Sequence, residues 1–96
     1  MKMYLIVYDA GFDEDVNETL VSCCITGFTK WSQVLGKGEK SVPKMNDAVW
    51  PGYNCAILMA VDPSEEPEIR TALDDLYERL GSAGIRVYSW EVGRMF

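Results

Sequence analysis

The sequence contains no histidine, and this absence excludes several kinds of catalytic site. Histidine is the usual general base near neutral pH, the central member of the Ser-His-Asp triad and the commonest metal-binding side chain. Basic residues are also scarce, with 9 lysines and arginines against 15 acidic residues and a net charge of −6. An acidic chain without a basic cluster is not typical of proteins that bind nucleic acid or anionic membranes, and we expect neither partner.

Cysteines and long apolar runs are few as well. The 3 cysteines have no regular spacing, so a disulfide scaffold is not expected and a reducing compartment is favoured. The longest apolar run covers residues 55–61, far short of the ~20 residues that cross a bilayer. The amino-terminal residues lead directly into a strand-like segment without a cleavage signal. We therefore expect a cytoplasmic protein without membrane insertion, folded as one domain over residues 1–96.

Four segments of the chain have the composition of β-strands. Apolar and β-branched runs predict buried strands at Met3–Tyr8 and Asn54–Val61. Segments that mix polar with β-forming residues predict two more strands, at Phe28–Leu35 and Ile85–Val92. Glycine and proline interrupt residues 36–52, so this stretch is predicted to be a loop, and loops of such length are usually functional.

Two segments have helical periodicity. Acidic residues at 13–15 begin the first, and Gly27 is predicted to cap its end. Its apolar stripe is Phe12, Val16, Leu20, Cys23 and Cys24. The second begins at Asp62, which precedes a proline, and ends at Gly81. The order of elements predicts an α+β fold, a ferredoxin-like βαββαβ sandwich in which a four-stranded antiparallel sheet carries both helices on one face.

Two strands, Met3–Tyr8 and Asn54–Val61, are predicted to lie at the centre of this sheet. Both carry apolar residues at odd and at even positions, so both of their faces are apolar. A sheet with helices on one face only should alternate apolar and polar residues. The second face of the sheet is therefore expected to be buried by a partner, since the predicted elements of this chain do not cover it. Another copy of the chain is the simplest partner. We expect a homo-oligomer, and we expect Trp90 on the last strand to be packed.

Two glycine motifs give the sequence a family resemblance. Gly27 and Thr29 enclose Phe28 where the first predicted helix gives way to the second strand, and Gly36 and Gly38 enclose Lys37 at the start of the loop. This arrangement resembles the PII nitrogen-regulatory proteins and their PII-like relatives, whose Gly-x-Gly opens a long T-loop. Residues 48–52 are similar to the branches with a shorter T-loop.

The resemblance implies a homotrimer whose sheets face inward, with clefts between subunits that bind adenine nucleotides in many members. It also implies that loop 36–52 acts as a T-loop that docks on a protein partner, often a membrane transporter. The protein would then be a regulator and not an enzyme. The loop used for phosphate in many members is reduced here to residues 81–84 without a lysine, so binding of ATP or ADP remains open.

The candidate ligand residues follow from this resemblance and from elementary chemistry. Glycines let backbone N–H groups approach phosphate oxygens, and lysine and arginine supply positive charge. The same residues are also consistent with a simpler interpretation, in which the glycines and lysines form a solvated hairpin exit and the arginine makes a surface salt bridge. The predicted ligand residues are Thr29, Gly36, Lys37, Gly38, Lys40 and Arg86.

Trp50 and Lys44 are the predicted partner-binding residues of the loop. A buried tryptophan often dominates an interface, although Trp50 is also suited to fold back and pin its own loop. No catalytic residue and no metal ligand is assigned.

Two alternative functions remain open from the sequence. Three cysteines and 5 methionines suit a soft metal ion such as Cu(I), as in a metal-linked adapter related to the CutA and efflux-associated PII-like proteins. Buried cysteine, however, usually packs as a small apolar side chain. A small dimeric α+β-barrel enzyme would also cover its sheet by self-association, but no acid-base pair is present.

Overall fold

The structure, a computed structural model, describes residues 1–39 and 42–96. The strands are β1 (Lys2–Asp9), β2 (Thr29–Val34), β3 (Asn54–Val61) and β4 (Ile85–Glu91). The helices are α1 (Asp13–Ser22) and α2 (Glu66–Leu80), and a 3₁₀ turn at Ala10–Phe12 joins β1 to α1. The strands form one antiparallel sheet in the order β2-β3-β1-β4. The predicted ferredoxin-like fold class is confirmed.

The hydrophobic core lies between the sheet and the two helices. Alternate residues of the central strands point into it, because successive side chains of a strand face opposite sides. Val16 and Leu20 of α1 and the Ile69, Leu73 and Leu76 stripe of α2 meet these strand residues. The residues that β1 and β3 contribute to this core are Tyr4, Ile6, Tyr8, Cys55, Ile57, Met59 and Val61.

The other face of the sheet is apolar, and both described helices pack against the opposite face. Strand register places Leu5 of β1 between Leu58 of β3 and Tyr88 of β4. Trp31 and Trp90 extend the same face at its two edges, and they are 45% and 46% exposed. The prediction that the central strands are apolar on both faces therefore holds. The expected packing of Trp90 is wrong for the single chain, because no element within residues 1–39 and 42–96 covers its ring.

The end of α1 differs from the prediction. The helix ends at Ser22, and Cys24 adopts the left-handed conformation with φ of 59°. The Ile25 N–H bonds to the Leu20 carbonyl at 3.0 Å, and the Cys24 N–H bonds to the Val21 carbonyl at 3.0 Å. This is the Schellman pattern of helix termination. Cys24, rather than Gly27, therefore ends the helix, and its side chain is exposed instead of joining the buried stripe.

The start of α2 is displaced from its prediction by a preceding turn. The Asp62 carboxylate accepts a hydrogen bond from the Ser64 N–H at 3.0 Å, and the helix begins at Glu66. Gly81 ends this helix as predicted, with φ of 77° and its N–H bonded to the Tyr77 carbonyl. Among the residues described, no helix is both long and apolar enough to cross a membrane.

Candidate functional site

A cavity of about 580 Å³ opens where the loop between β2 and β3 meets the loop between α2 and β4. Residues 36–39, Val42 and Lys44 form one wall, and residues 82–86 form the opposite wall. Val7 and Tyr88, which belong to the apolar face of the sheet, border it as well. The cavity therefore lies at the margin of the uncovered sheet face.

The base of the loop between β2 and β3 is closed by a pair of backbone hydrogen bonds. The Gly36 N–H donates to the Lys44 carbonyl at 2.9 Å, and the Lys44 N–H donates to the Gly36 carbonyl at 2.7 Å. This bridge continues the direction of β2 beyond the bulge that interrupts its pairing with β3 between Trp31 and Val34. The glycines at 36 and 38 are thereby held at the cavity wall.

Asp9 connects the two walls of the cavity. Its N–H donates to the Gly84 carbonyl at 2.9 Å, on the side of residues 82–86. Its carboxylate accepts a hydrogen bond from the Lys44 ammonium, on the side of the long loop, and a second from the Gly11 N–H at 2.8 Å. The Lys44 ammonium holds the pKa of the Asp9 carboxyl below its usual range, and the Gly11 N–H acts in the same direction.

The charges at the cavity suit an anion. Lys37, Lys44 and Arg86 line it, against one acidic side chain, Glu39, among the lining residues described. Arginine forms charge-assisted, often bidentate hydrogen bonds with phosphate and carboxylate groups. Glycine-rich backbone on both walls allows close approach of an anion to N–H groups. The arrangement can bind an anionic small molecule, and Lys44 offers its charge to such a ligand only in competition with Asp9.

A second network lies behind the cavity, on the helix-covered face. The Tyr8 hydroxyl donates to Asp13 Oδ1 at 2.6 Å, and the Lys30 ammonium lies 2.7 Å from the same oxygen. Lys30, and then the Tyr8 hydroxyl, lower the pKa of the Asp13 carboxyl. Burial and the Asp13 carboxylate raise the pKa of the Tyr8 phenol. This network joins the start of α1 to β1 and β2 and supports the end of β1 that leads into Asp9.

The distal part of the loop is organised by Asp47. Its carboxylate accepts hydrogen bonds from the N–H groups of Val49, at 3.0 Å, and Trp50, at 2.6 Å. The Trp50 carbonyl in turn accepts bonds from the N–H groups of Met45 and Asp47. Trp50 is 41% exposed and Val49 is 73% exposed, so the loop presents a structured apolar tip to solvent.

The structure brings most of the predicted ligand residues together. Gly36, Lys37, Gly38 and Arg86 all line the cavity. Thr29 lies apart from them, because it pairs with Leu58 on the apolar face of the sheet. Lys40 lies outside the described residues. Whether any of them binds a ligand stays a prediction.

Three features of the site were missing from the sequence prediction or assigned elsewhere. Lys44, predicted to bind a partner, turns inward to Asp9 and the cavity, and its role in partner binding stays a prediction. Asp9 was not recognised as part of the site, because its contacts with Lys44 and Gly84 lie far away in sequence. The loop at residues 81–84, set aside for its lack of lysine, contributes Ser82 and Gly84 to the wall.

The cysteines do not gather into a cluster. Cys23 and Cys55 are buried, Cys24 is exposed, and burial raises the pKa of the Cys23 and Cys55 thiols. Within residues 1–39 and 42–96, no three of the cysteine, aspartate and glutamate side chains are placed to share a metal ion.

No family model matches the sequence, and no curated protein matches it in sequence. Solved structures do match. CPII, a nitrogen regulatory PII-like protein from Thiomonas intermedia bound to ADP, AMP and bicarbonate, superimposes with a TM-score of 0.69 at 19% identity, over 97% of this chain and 88% of CPII. A PII-like signaling protein from Thermus thermophilus gives a TM-score of 0.65 at 19% identity, over 93% of this chain and 83% of that one. A DUF3240 family protein from Shewanella baltica gives a TM-score of 0.67 at 13% identity, over 99% of this chain and 92% of that one.

These structural neighbours share the fold of the chain over almost its whole length. The predicted resemblance to PII-like proteins is therefore confirmed at the level of the fold. Identities below 20% establish no more than this, and function has to be argued from the site itself.

Proposed function

We propose that this chain is a PII-like regulatory protein that binds a small anionic effector in the cavity and signals through residues 36–52. The observation that carries the proposal is the meeting of Gly36, Lys37 and Gly38 with Arg86 in one cavity at the base of the loop. A ligand bound there touches the segment whose distal part presents Trp50 to solvent. Its role is regulatory and not catalytic.

An adenine nucleotide is the effector class we favour. Lysine and arginine at the cavity suit phosphate groups, and glycine backbone on both walls suits their close approach. The neighbour from Thiomonas intermedia is bound to ADP, AMP and bicarbonate, which are all anions. The missing lysine at residues 81–84 is offset in this chain by Lys44, which projects toward the cavity from the other wall.

The protein acts as a homotrimer in this proposal. The uncovered sheet face is apolar from Trp31 at one edge to Trp90 at the other, and burying it is favourable at roughly 25 cal/mol per Å² of apolar surface. Val7 and Tyr88 belong to this face and also border the cavity. A neighbouring subunit packed on the face would therefore close the cavity and share the ligand.

The distal loop is the surface we assign to a protein partner. Asp47 holds the backbone of the tip in one arrangement, and Val49 and Trp50 remain exposed on it. Exposed tryptophan on an ordered turn is suited to anchor an interface. A cytoplasmic regulator of a membrane transporter fits this arrangement.

Calorimetric titration with ADP tests the proposal. We expect saturable binding to the wild-type protein and about 10- to 100-fold weaker binding by Arg86→Gln, since a charge-assisted hydrogen bond is lost. The matched control is Arg79→Gln, because Arg79 pairs with Asp75 on the outer side of α2, away from the cavity. Equal affinities for all three proteins would place the ligand elsewhere, and no binding of ADP would reject the nucleotide as effector.

A further inference from the structure

The strongest unexplained contact at the cavity is the ion pair between Asp9 and Lys44. These residues lie 35 positions apart, and their side chains are partly shielded from solvent, 37% exposed for Asp9 and 22% for Lys44. Lys44 is at the same time one half of the backbone bridge that closes the loop. The ion pair therefore fixes the loop base to the end of β1.

The position of Lys44 gives its ammonium two possible partners. One is the Asp9 carboxylate, which holds it now. The other is an anion in the cavity, since Lys44 lines the same space as Lys37 and Arg86. A phosphate or carboxylate group that binds the Lys44 ammonium competes for it with the Asp9 carboxylate, because the ammonium is a compact point charge on a flexible stem that can turn toward either acceptor.

We infer that the Asp9–Lys44 ion pair is a latch on the loop, and that an anionic effector opens it by taking the Lys44 ammonium from Asp9. This inference rests on the proposed function and adds how binding reaches the loop. In the empty state the latch and the Gly36–Lys44 bridge hold the base of the loop against β1. In the bound state Lys44 turns to the ligand, the bridge is weakened, and the distal tip with Trp50 moves.

The latch also explains why Asp9 contacts both walls. Its N–H holds Gly84 on the opposite wall while its carboxylate holds Lys44. The carboxylate keeps its second hydrogen bond, from the Gly11 N–H, when Lys44 leaves. Asp9 is therefore not left without a partner in the bound state. Because no unpaired carboxylate remains, a ligand of moderate affinity can supply the free energy that the exchange requires.

Amide exchange measured by NMR, together with titration with ADP and with pyrophosphate, tests the latch. The reporters are the N–H groups of Gly36 and Lys44, which the bridge protects. In the wild-type protein we expect ADP to speed their exchange. In Asp9→Asn we expect fast exchange without ligand and about fivefold tighter ADP binding, since the competing carboxylate is gone.

Asp9→Asn keeps a side-chain oxygen that accepts from the Gly11 N–H, so the turn after β1 is preserved. Asp75→Asn is the matched control, because it makes the same change of charge at an exposed ion pair on α2. It should behave like the wild type. A second variant, Lys44→Met, should bind ADP about fivefold more weakly and show fast exchange that ADP does not change.

The outcomes separate the latch from the proposed function. If ADP or pyrophosphate binds the wild type while Asp9→Asn binds it no tighter, or if ligand leaves the exchange of Gly36 unchanged, the latch is rejected and effector binding stands. Binding by Asp9→Asn alone would also reject the latch as proposed, because an anion that cannot take Lys44 from Asp9 in the wild-type protein does not open it. If none of the proteins binds either probe, both the proposed function and the latch are rejected.

Discussion

Gly84 lies directly against the ring of Phe12. A Cβ atom built on Gly84 would be 2.6 Å from Cε2 of Phe12 and 3.1 Å from the carbonyl oxygen of Leu80. No side chain fits between these groups without movement of the ring or of the backbone. The close approach sets the path of residues 82–86 along the cavity, and the Asp9 N–H bonded to the Gly84 carbonyl fixes it there.

Gly84→Ala should therefore destabilise the protein by about 1–3 kcal/mol, as expected for an added methyl group in a packed site. Urea unfolding followed by circular dichroism measures the change. Gly27→Ala is the control, because a Cβ at Gly27 meets no atom within 4 Å. Equal stability of the two variants would show that the ring and the loop yield easily to a methyl group.

Trp90→Glu should dissociate the proposed homotrimer. Trp90 lies on the apolar sheet face beside Met3, and a carboxylate buried between subunits there would lack a partner. Sedimentation velocity should show a smaller species for this variant. Val21→Glu, a matched change on an exposed position of α1, should keep the size of the wild type. A Trp90→Glu protein of unchanged size would place the interface on another surface.

The Tyr8–Asp13–Lys30 network predicts a loss of stability in acid. The pKa of Asp13 is lowered in the folded protein. Its ion pair with Lys30 therefore stabilises the folded state fully at pH values above the ordinary carboxyl pKa of 3.8. The stabilisation is lost as the pH falls below that value and through the folded pKa. In Lys30→Met this pKa rises toward its ordinary value, and stability should fall less steeply between neutral pH and about pH 2.

Urea unfolding across this pH range measures the difference between the two proteins. Lys37→Met, which removes a lysine from the exposed loop instead, is the control for the change in net charge. Its pH profile should parallel that of the wild type. A Lys30→Met profile that is as steep as the wild-type profile would mean that Lys30 does not set the ionisation of Asp13.

The order of the loop tip should depend on the Asp47 carboxylate. Asp47→Ala removes the acceptor of two N–H groups, so amide exchange at Val49 and Trp50 should become faster. Asp47→Asn keeps a side-chain oxygen and should retain most of the protection. Unchanged exchange at Val49 and Trp50 in Asp47→Ala would show that the Asp47 carboxylate does not order the tip.

Local patterns in the sequence were sufficient to predict the fold. Apolar runs, β-forming composition and bounding turn residues located all four strands. The apolar residues on both faces of Met3–Tyr8 predicted a sheet face without a helix. The end of α1 was placed wrongly, at Gly27, because glycine is the usual left-handed residue. Cys24 takes that conformation here once the packing of Ile25 closes the Schellman motif.

The site was predicted only in part, for a physical reason. Gly36, Lys37 and Gly38 are neighbours in sequence, and the family resemblance grouped them with Arg86, although β2 and β4 lie at opposite edges of the sheet. The contact of Lys44 with Asp9 depends on how a long loop folds back across a sheet, and no local pattern records this. Thr29 was assigned to the ligand by a motif, but the β2 register turns it to the uncovered face.

Native mass spectrometry of the intact protein, with and without ADP, tests the central claim most directly. The account predicts a trimer that binds one ADP for each subunit, and it predicts that Arg86→Gln stays trimeric while losing the nucleotide. A monomer or a dimer would contradict the proposed assembly and the shared cavity. A trimer that takes up no ADP would contradict the proposed effector.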